Sequence, residues 1–235
     1  MSDTYPKPDV SVDVVLLTLV GGKLHVALHV RTKRPDKGAL ALPGGQVHID
    51  DEQEVDLEAT AYRVLREKVG LVPRYLEQLR TFSGRERDPA RGFTVSISHV
   101  ALIPYEELKA VGDGVFHFYS VDDLPKLAFD HAAQVAEAVQ RLRNKASYST
   151  LPCWLLPEAF TLTQLQVVYE QIFGETVKRG TFRSRLGIKV QDVRPGEAVD
   201  EAEILVATDQ FQGGKQRPAR LFKVDRLSLF RRAFW

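Results

Sequence analysis

The segment from residue 43 to residue 71 constrains this chain more than any other. It opens with the turn Pro43-Gly44-Gly45-Gln46 and continues, after an acidic loop, into an apolar repeat. The repeat has an apolar residue at every fourth position, namely Leu57, Ala61, Leu65 and Val69. That spacing forms one apolar face of a helix, and Gly70 stands where a helix end favours a residue with positive φ. The segment therefore predicts a strand, a glycine turn, a loop and a helix.

The same segment resembles the Nudix box. The resemblance rests on the glycine turn, with Arg63, Leu65, Gly70 and Leu71 in register behind it. In active members of that family, carboxylates at positions i, i+3 and i+4 of the helix converge on a magnesium ion that bridges a pyrophosphate. The resemblance therefore implies a site for a diphosphate ligand.

Two of the three expected carboxylates are replaced in this chain. The aligned positions hold Val64, Glu67 and Lys68, so only Glu67 keeps the acidic group. A unit positive charge about 4 Å from a divalent cation costs on the order of 8 kcal/mol at an effective dielectric near 20. We therefore expect neither catalytic residues nor a bound metal, and metal-assisted hydrolysis is disfavoured.

An earlier glutamate of the box cannot be assigned by alignment. The interval between Gly45 and Arg63 is longer than in the family by four residues, within an acidic insertion. Val55 takes the position if no gap is introduced, and Glu54 or Glu52 takes it otherwise. The alternative function is therefore an active ADP-ribose pyrophosphatase, in which Glu67 and acids of residues 50–58 rebuild a metal site.

Three further stretches resemble the Nudix subgroup that handles ADP-ribose. They are the basic segment 31–38, a loop at 83–89 between two predicted strands, and the start of a predicted helix at 127–131. A guanidinium fork matches two phosphate oxygens, so arginines in these loops suit a pyrophosphate. The resemblance implies ligand contacts from ten residues, with either of the two loop arginines at 85 and 87 able to serve: Arg31, Gly44, Gly45, Arg63, Glu67, Lys68, Arg85, Arg87, Asp130 and His131.

Length and composition allow two ordinary domains in a reducing compartment. The chain has 235 residues and a single cysteine, Cys153, which excludes an intramolecular disulfide framework. No basic-then-apolar secretory segment opens the chain and no apolar run is long enough to cross a bilayer, so we expect a cytoplasmic protein without a membrane partner. From residue 150 onward there are 13 Lys and Arg against 10 Asp and Glu, and before it 19 against 21.

This basic C-terminal region predicts a winged helix-turn-helix. Thr161 and Gly174 delimit one amphipathic helix, and a second, basic helix covers residues 178–186. Two strands at 204–208 and 220–224 flank a basic tip that suits a wing. Winged helices also mediate protein contacts, but the basic helix favours double-stranded operator DNA. The expected DNA contacts are Lys178, Arg179, Thr181, Arg183, Ser184, Lys215 and Arg217.

Taken together, the chain resembles the Nudix-related transcriptional regulators of bacterial NAD metabolism. The resemblance implies an α+β protein: a Nudix-like α/β/α sandwich with a mixed sheet at residues 1–147, then a winged helix-turn-helix domain at residues 148–235. It also implies a homodimeric repressor of NAD biosynthesis or salvage genes. ADP-ribose or a related nucleotide would be the effector, with no cofactor required.

Overall fold

The computed structural model describes residues 7–187, 204–213, 218–230 and 233–234. The chain divides into two compact units, one formed by residues 1–20 and 25–139, the other by residues 21–24 and 140–235. The sequence-based boundary between residues 147 and 148 remains a prediction. None of the helices in the described ranges is long and apolar enough to cross a membrane.

The first unit is built on a mixed sheet. Its strands are β1 (Asp9–Val20), β2 (Lys23–Val30), β3 (Leu40–Ala41), β4 (Gly44–Gln46), β5 (Leu76–Asp88), β6 (Gly92–Leu102) and β7 (His117–Ser120). The order along the sheet is β3-β2-β1-β6-β5, with β4 paired to β1 and β7 paired to β2. Strands β1 and β6 run parallel, whereas β5 and β6 form an antiparallel hairpin. The mixed sheet predicted from the family resemblance is confirmed.

Strand β1 is covered on both faces because successive side chains of a strand point in opposite directions. On one face, Val12, Val14 and Leu16 join the apolar core to which helix α1 (Leu57–Lys68) contributes. On the other face, Asp13 contacts helix α3 (His131–Ala146). A short helix, α2 (Tyr105–Ala110), which the sequence pattern did not predict, lies between β6 and β7 in the chain.

Helix α1 forms as its sequence predicts. Asp56 caps it by accepting a hydrogen bond from the Ala59 amide at 2.7 Å. Val69 is the C-cap, and Gly70 follows with a φ of 73°. The predicted apolar face is buried, since Ala61, Leu65 and Val69 are fully inaccessible.

The segment 83–88 was predicted as a loop, and this prediction is wrong. Strand β5 continues through Asp88, and the turn is confined to residues 89–91. The pairing register with β6 shifts between Gly84 and Asp88, and Gly84 has a φ of 147°. A bulged register of this kind lets a polar stretch stay in a strand, although its sequence reads as a turn.

The second unit contains a winged helix-turn-helix. Its elements are the 3₁₀ helix Leu151–Leu155, β8 (Phe160–Thr161), α4 (Leu162–Phe173), α5 (Arg179–Arg185), β9 (Val206–Gln212) and β10 (Ala219–Lys223). The three strands pair in the order β8-β10-β9. Thr161 caps α4 in a capping box with Gln164, and Gly174 ends the helix with a φ of 74°, as predicted.

An aromatic cluster forms the core of this unit. The hydroxyl of Tyr169 donates to the Ser149 carbonyl at 2.6 Å, and its ring lies 5.4 Å from the rings of both Phe182 and Phe234. The amide of Phe230 donates to the carbonyl of Tyr148. The described residues of the apolar C-terminal segment therefore pack onto their own unit.

Candidate functional site

A cavity of about 550 Å³ opens in the first unit beside the glycine turn. It is lined by residues from β1, β2, β4, β5, β6 and α1, and from the loop after β2. Seven of the ten predicted ligand residues line it: Arg31, Gly44, Gly45, Arg63, Glu67, Lys68 and Arg87. The fold thus gathers residues that lie up to 56 positions apart in the sequence.

The lining of this cavity is electropositive. Seven Lys and Arg residues line it against four Asp and Glu residues. Three of these acids are already paired with arginines, namely Asp13 with Arg87, Glu67 with Arg63 and Asp88 with Arg91. Among the described residues, Arg31, Lys33, Arg34 and Lys68 line the cavity without an ion pair to a carboxylate. The cavity therefore suits a ligand that carries several negative charges.

Arg87 is held by two carboxylates. Its Nη2 donates to Asp13 Oδ2 at 2.6 Å, and its Nε donates to Asp130 Oδ2 at 3.0 Å. Gln134 bridges the same two acids, because its Nε2 lies 3.0 Å from Asp13 Oδ2 and 3.0 Å from Asp130 Oδ1. Arg87 is thus fixed at the wall of the cavity by β1 and by the start of α3.

Asp13 is the hub of this network and was not predicted from the sequence. Its side chain is buried and also accepts a hydrogen bond from Ser96 Oγ at 2.6 Å. Burial by itself would raise the pKa of Asp13, but the positive charge of Arg87 and the hydrogen bond from Ser96 more than offset that effect and hold the pKa well below its usual range. The available signal was an acid inside a run of valines and leucines, since a carboxylate is rarely buried without a partner.

His131 lies beneath the cavity and does not line it. Its Nδ1 accepts a hydrogen bond from the Leu42 amide at 2.9 Å, so the ring is the neutral tautomer with its proton on Nε2. That Nε2 is 3.6 Å from Asp13 Oδ2, which is beyond hydrogen-bond range. Arg87, at 2.6 Å, is therefore the cationic partner of Asp13. The structure places His131 as a support for the strand that leads into the glycine turn.

The two glycines of the turn are required by packing. A Cβ at Gly44 would lie 2.1 Å from Asp13 Oδ1, and a Cβ at Gly45 would lie 2.9 Å from a methyl group of Val64. Both positions line the cavity. The glycine pair thus lets the Asp13 network and helix α1 approach the same short strand.

Glu54 is the acid of the insertion whose side chain contacts helix α1. Val55 is 81% exposed, whereas both oxygens of Glu54 are engaged. Its Oε1 contacts Arg63 Nε, and its Oε2 accepts hydrogen bonds from Thr60 Oγ1 at 2.6 Å and from the His48 amide at 3.0 Å. Burial would raise the pKa of Glu54, but these hydrogen bonds lower it to about 2. Glu54 is therefore ionised and serves to orient Arg63, which also donates to Glu67 at 3.1 Å.

The residues of the box helix do not fit a magnesium ion. Val64 is fully buried against Gly45 and offers no oxygen. Lys68 brings a positive charge to the wall of the cavity, and partial desolvation together with the nearby charges of Arg31 and Lys33 lowers its pKa. A separate group of three possible ligand residues, His48, Asp51 and Glu54, has its ligand atoms within 4.8 Å of one another in the acidic loop.

Two other predicted contacts do not line the cavity, whereas one residue that was not predicted does line it. Arg85 is exposed on β5 and is not among the residues that line the cavity. Asp130 is not among the lining residues either, and its carboxylate contacts Arg87, which lines the cavity. Phe129 was not predicted, although it lines the cavity, with the guanidinium carbon of Arg31 stacked 4.6 Å from its ring centroid.

The predicted DNA-contacting residues cluster on and before α5. Phe182 and Leu186 are buried on one side of this helix. The remaining positions form a basic surface. Four of the predicted residues are exposed there, namely Lys178, Arg179, Thr181 and Ser184, and a fifth, Arg183, is partly exposed. The two predicted wing residues, Lys215 and Arg217, lie outside the described residues.

Comparison with known proteins places both units in families. The NUDIX domain model matches residues 7–142, and the model of the NrtR DNA-binding winged helix domain matches residues 152–189. The chain is 35% identical to the ADPR responsive transcriptional repressor NtrR of Acinetobacter baylyi, over 93% of this chain and 83% of the relative. It is also 35% identical to an ADP-ribose pyrophosphatase of Methanocaldococcus jannaschii, over 54% of this chain and 70% of that enzyme.

Solved structures agree with these matches. NrtR of Shewanella oneidensis, complexed with a 27mer DNA, superposes with a TM-score of 0.78 at 34% identity and covers 92% of this chain and 93% of its own. The NUDIX domain of the same protein complexed with ADP ribose superposes with a TM-score of 0.50 at 36% identity, covering 59% of this chain and 90% of its own. The chain therefore belongs to the NUDIX family and, through its winged-helix unit, to the NrtR-type proteins within it.

Proposed function

We propose that this protein is a transcriptional repressor that binds double-stranded operator DNA and responds to ADP-ribose. The observation that carries the proposal lies on helix α1, where Val64, buried against Gly45, and Lys68, which lines the cavity, stand at positions that hold carboxylates in active Nudix enzymes. The relatives from A. baylyi and S. oneidensis, whose names report a response to ADPR and complexes with DNA and ADP ribose, support it. NAD biosynthesis or salvage genes are the proposed targets.

In the proposed sensor, protein cations replace the metal ion. Lys68 supplies a point charge, while Arg31 and Arg87 present guanidinium groups that match phosphate oxygens. With no metal to polarise the pyrophosphate and activate water, the bound nucleotide stays intact. Such a site requires no cofactor, and it makes ADP-ribose an effector rather than a substrate.

The proposed DNA-binding surface is the basic side of α5 with the wing. In a winged helix the second helix of the motif enters the major groove, while Lys and Arg neutralise backbone phosphates. Lys178, Arg179 and Arg183 would supply the charge, with Thr181 and Ser184 near base edges. We assign sensing to residues 1–147 and DNA binding to residues 148–235, in a cytoplasmic homodimer that reads a palindromic operator.

The test is a DNA-binding titration of the full chain with fragments from upstream of NAD biosynthesis genes, with and without ADP-ribose. Specific binding that intact ADP-ribose weakens is the expected result. Lys68→Glu should abolish the nucleotide response and leave DNA affinity unchanged, because Lys68 lies in the cavity of the first unit. Lys37→Glu is the matched control, since Lys37 is exposed in the same basic loop as Arg31 and does not line the cavity. A full response in Lys68→Glu would remove Lys68 from the mechanism.

The alternative function is ADP-ribose pyrophosphatase activity. The grouping of His48, Asp51 and Glu54 and the similarity to the M. jannaschii enzyme favour it. Assaying the same samples for AMP in the presence of magnesium separates the two functions. Rapid magnesium-dependent release of AMP without specific DNA binding would establish the hydrolase and overturn the repressor.

A further inference from the structure

Arg87 lies between the cavity and the first turn of helix α3. It lines the 550 Å³ cavity, and it also lines a neighbouring cavity of about 610 Å³ on the side of Lys126 and Leu127. Its side chain is only 8% exposed, because the carboxylates of Asp13 and Asp130 hold it from below. Any anion that draws this guanidinium towards the cavity must compete with those two acids.

The charge balance of the network sets up this competition. Two carboxylates share one guanidinium, while their other close neighbours, Gln134 and the neutral ring of His131, carry no charge. The cluster therefore keeps an excess of one negative charge beside a cavity that otherwise attracts anions. A diphosphate approaching Arg87 meets the repulsion of these carboxylates unless the guanidinium turns towards it.

Of the two acids, Asp130 is the one that can release Arg87. The Asp13 side chain is 8% exposed and keeps Ser96 and Gln134 as donors, so its charge stays fixed in the core. The Asp130 side chain is 24% exposed, and water can replace the lost hydrogen bond at small cost. The Asp130 main-chain carbonyl also accepts hydrogen bonds from the Ala133 and Gln134 amides, which form the first turn of α3.

We propose that a diphosphate ligand in the cavity draws Arg87 away from Asp130 and thereby loosens the first turn of α3. The Asp130 carboxylate then competes with the ligand for the Arg87 guanidinium, and the ion pair between Asp130 and Arg87 is the contact that ligand binding breaks. By reciprocity, an intact start of α3 weakens ligand binding, and a loosened one strengthens it. This inference rests on the proposed function, because it takes ADP-ribose as the ligand of the cavity.

The experiment compares Asp130→Asn with Glu137→Gln in the full chain. Glu137 is a matched control, because its ion pair with Arg80, at 3.5 Å, also joins β5 to α3 but lies outside the cavity lining. Titration calorimetry with ADP-ribose should give a Kd about five-fold lower for Asp130→Asn than for the wild type. That is the effect expected from removing one carboxylate charge roughly 8 Å from a ligand charge in a partly hydrated site. Glu137→Gln should keep the wild-type Kd.

Hydrogen exchange on the wild-type protein tests, without any substitution, whether ligand binding loosens the first turn of α3. Saturating ADP-ribose should accelerate exchange at the amides of residues 131–134 at least several-fold, and should do so in Glu137→Gln as well. Asp130→Asn should exchange rapidly there even without ligand. Adenosine, which has no phosphate, should not accelerate exchange at these amides in the wild type or in Glu137→Gln.

The outcomes separate this inference from the proposed function. ADP-ribose that binds with wild-type or weaker affinity to Asp130→Asn, or that leaves exchange at the start of α3 unchanged, overturns the inference and leaves the proposed sensor intact. If ADP-ribose does not bind the wild type at all, the proposed function fails and the inference fails with it.

Discussion

Replacing Glu54 with Gln should destabilise the first unit by about 2 kcal/mol at neutral pH. The carboxylate is held by Arg63, Thr60 and the His48 amide, and its pKa falls from 4.5 to about 2. That drop corresponds to about 3 kcal/mol of stabilisation by the ionised form. The loop lies at the surface of the unit, so solvent screening reduces the expected effect to about 2 kcal/mol.

The pH dependence of this effect has a definite sign. Because the pKa of Glu54 is lower in the folded state, its contribution is fully present above pH 4.5 and is lost as the pH falls towards 2. The difference in the free energy of unfolding between the wild type and Glu54→Gln should therefore be constant from pH 6 to 8 and should shrink below pH 4.5. Glu52→Gln is the control, because Glu52 is an exposed acid of the same loop.

Urea-dependent hydrogen exchange at the amides of β1 and β6 measures this free energy for the first unit alone. The measurement also decides whether Glu54 is a structural or a metal-binding acid. In the structural role, millimolar magnesium leaves the difference between the wild type and Glu54→Gln unchanged. Magnesium that stabilises the wild type but not Glu54→Gln would refute the reasoning, because it would show that Glu54 is free to bind the ion.

Three further predictions concern the turn, the tail and the basic helix. Gly44→Ala should weaken ADP-ribose binding at least ten-fold and destabilise the first unit, because the new Cβ would lie 2.1 Å from Asp13 Oδ1; calorimetry and hydrogen exchange measure the two effects. Phe234→Ala should destabilise the second unit by about 3 kcal/mol in urea unfolding followed by tryptophan fluorescence, because the lost ring packs on Tyr169 and Phe182. Arg179→Ala should reduce the slope of log affinity for DNA against log salt by about 1. An unchanged slope would exclude a phosphate contact by Arg179.

Much of the fold was predictable because it is encoded in local patterns. The repeat of Leu57, Ala61, Leu65 and Val69 requires one buried face, and that requirement fixed helix α1. Thr161 and Gly174 fixed the limits of α4 through backbone hydrogen bonds that involve only neighbouring residues. These features depend on residues within a few turns of one another, so the sequence carries them directly.

The end of strand β5 was not predictable in this way. Residues 83–88 have the composition of a turn, yet they pair with β6 through a shifted register. Pairing between strands depends on a partner elsewhere in the chain and on the core beneath both of them. A local pattern of Gly, Arg and Asp could not reveal that partner.

The candidate site shows the same division. The sequence by itself determined that positions 64 and 68 of helix α1 carry no carboxylate, since they are Val64 and Lys68. Through the family resemblance, the sequence also predicted four of the seven Lys and Arg residues that line the cavity. Only the tertiary structure decided that Glu54 pairs with Arg63 and that Asp13 holds Arg87, because both are buried ion pairs between separate elements. Such pairs are selected by distance and by burial, which a linear sequence does not contain.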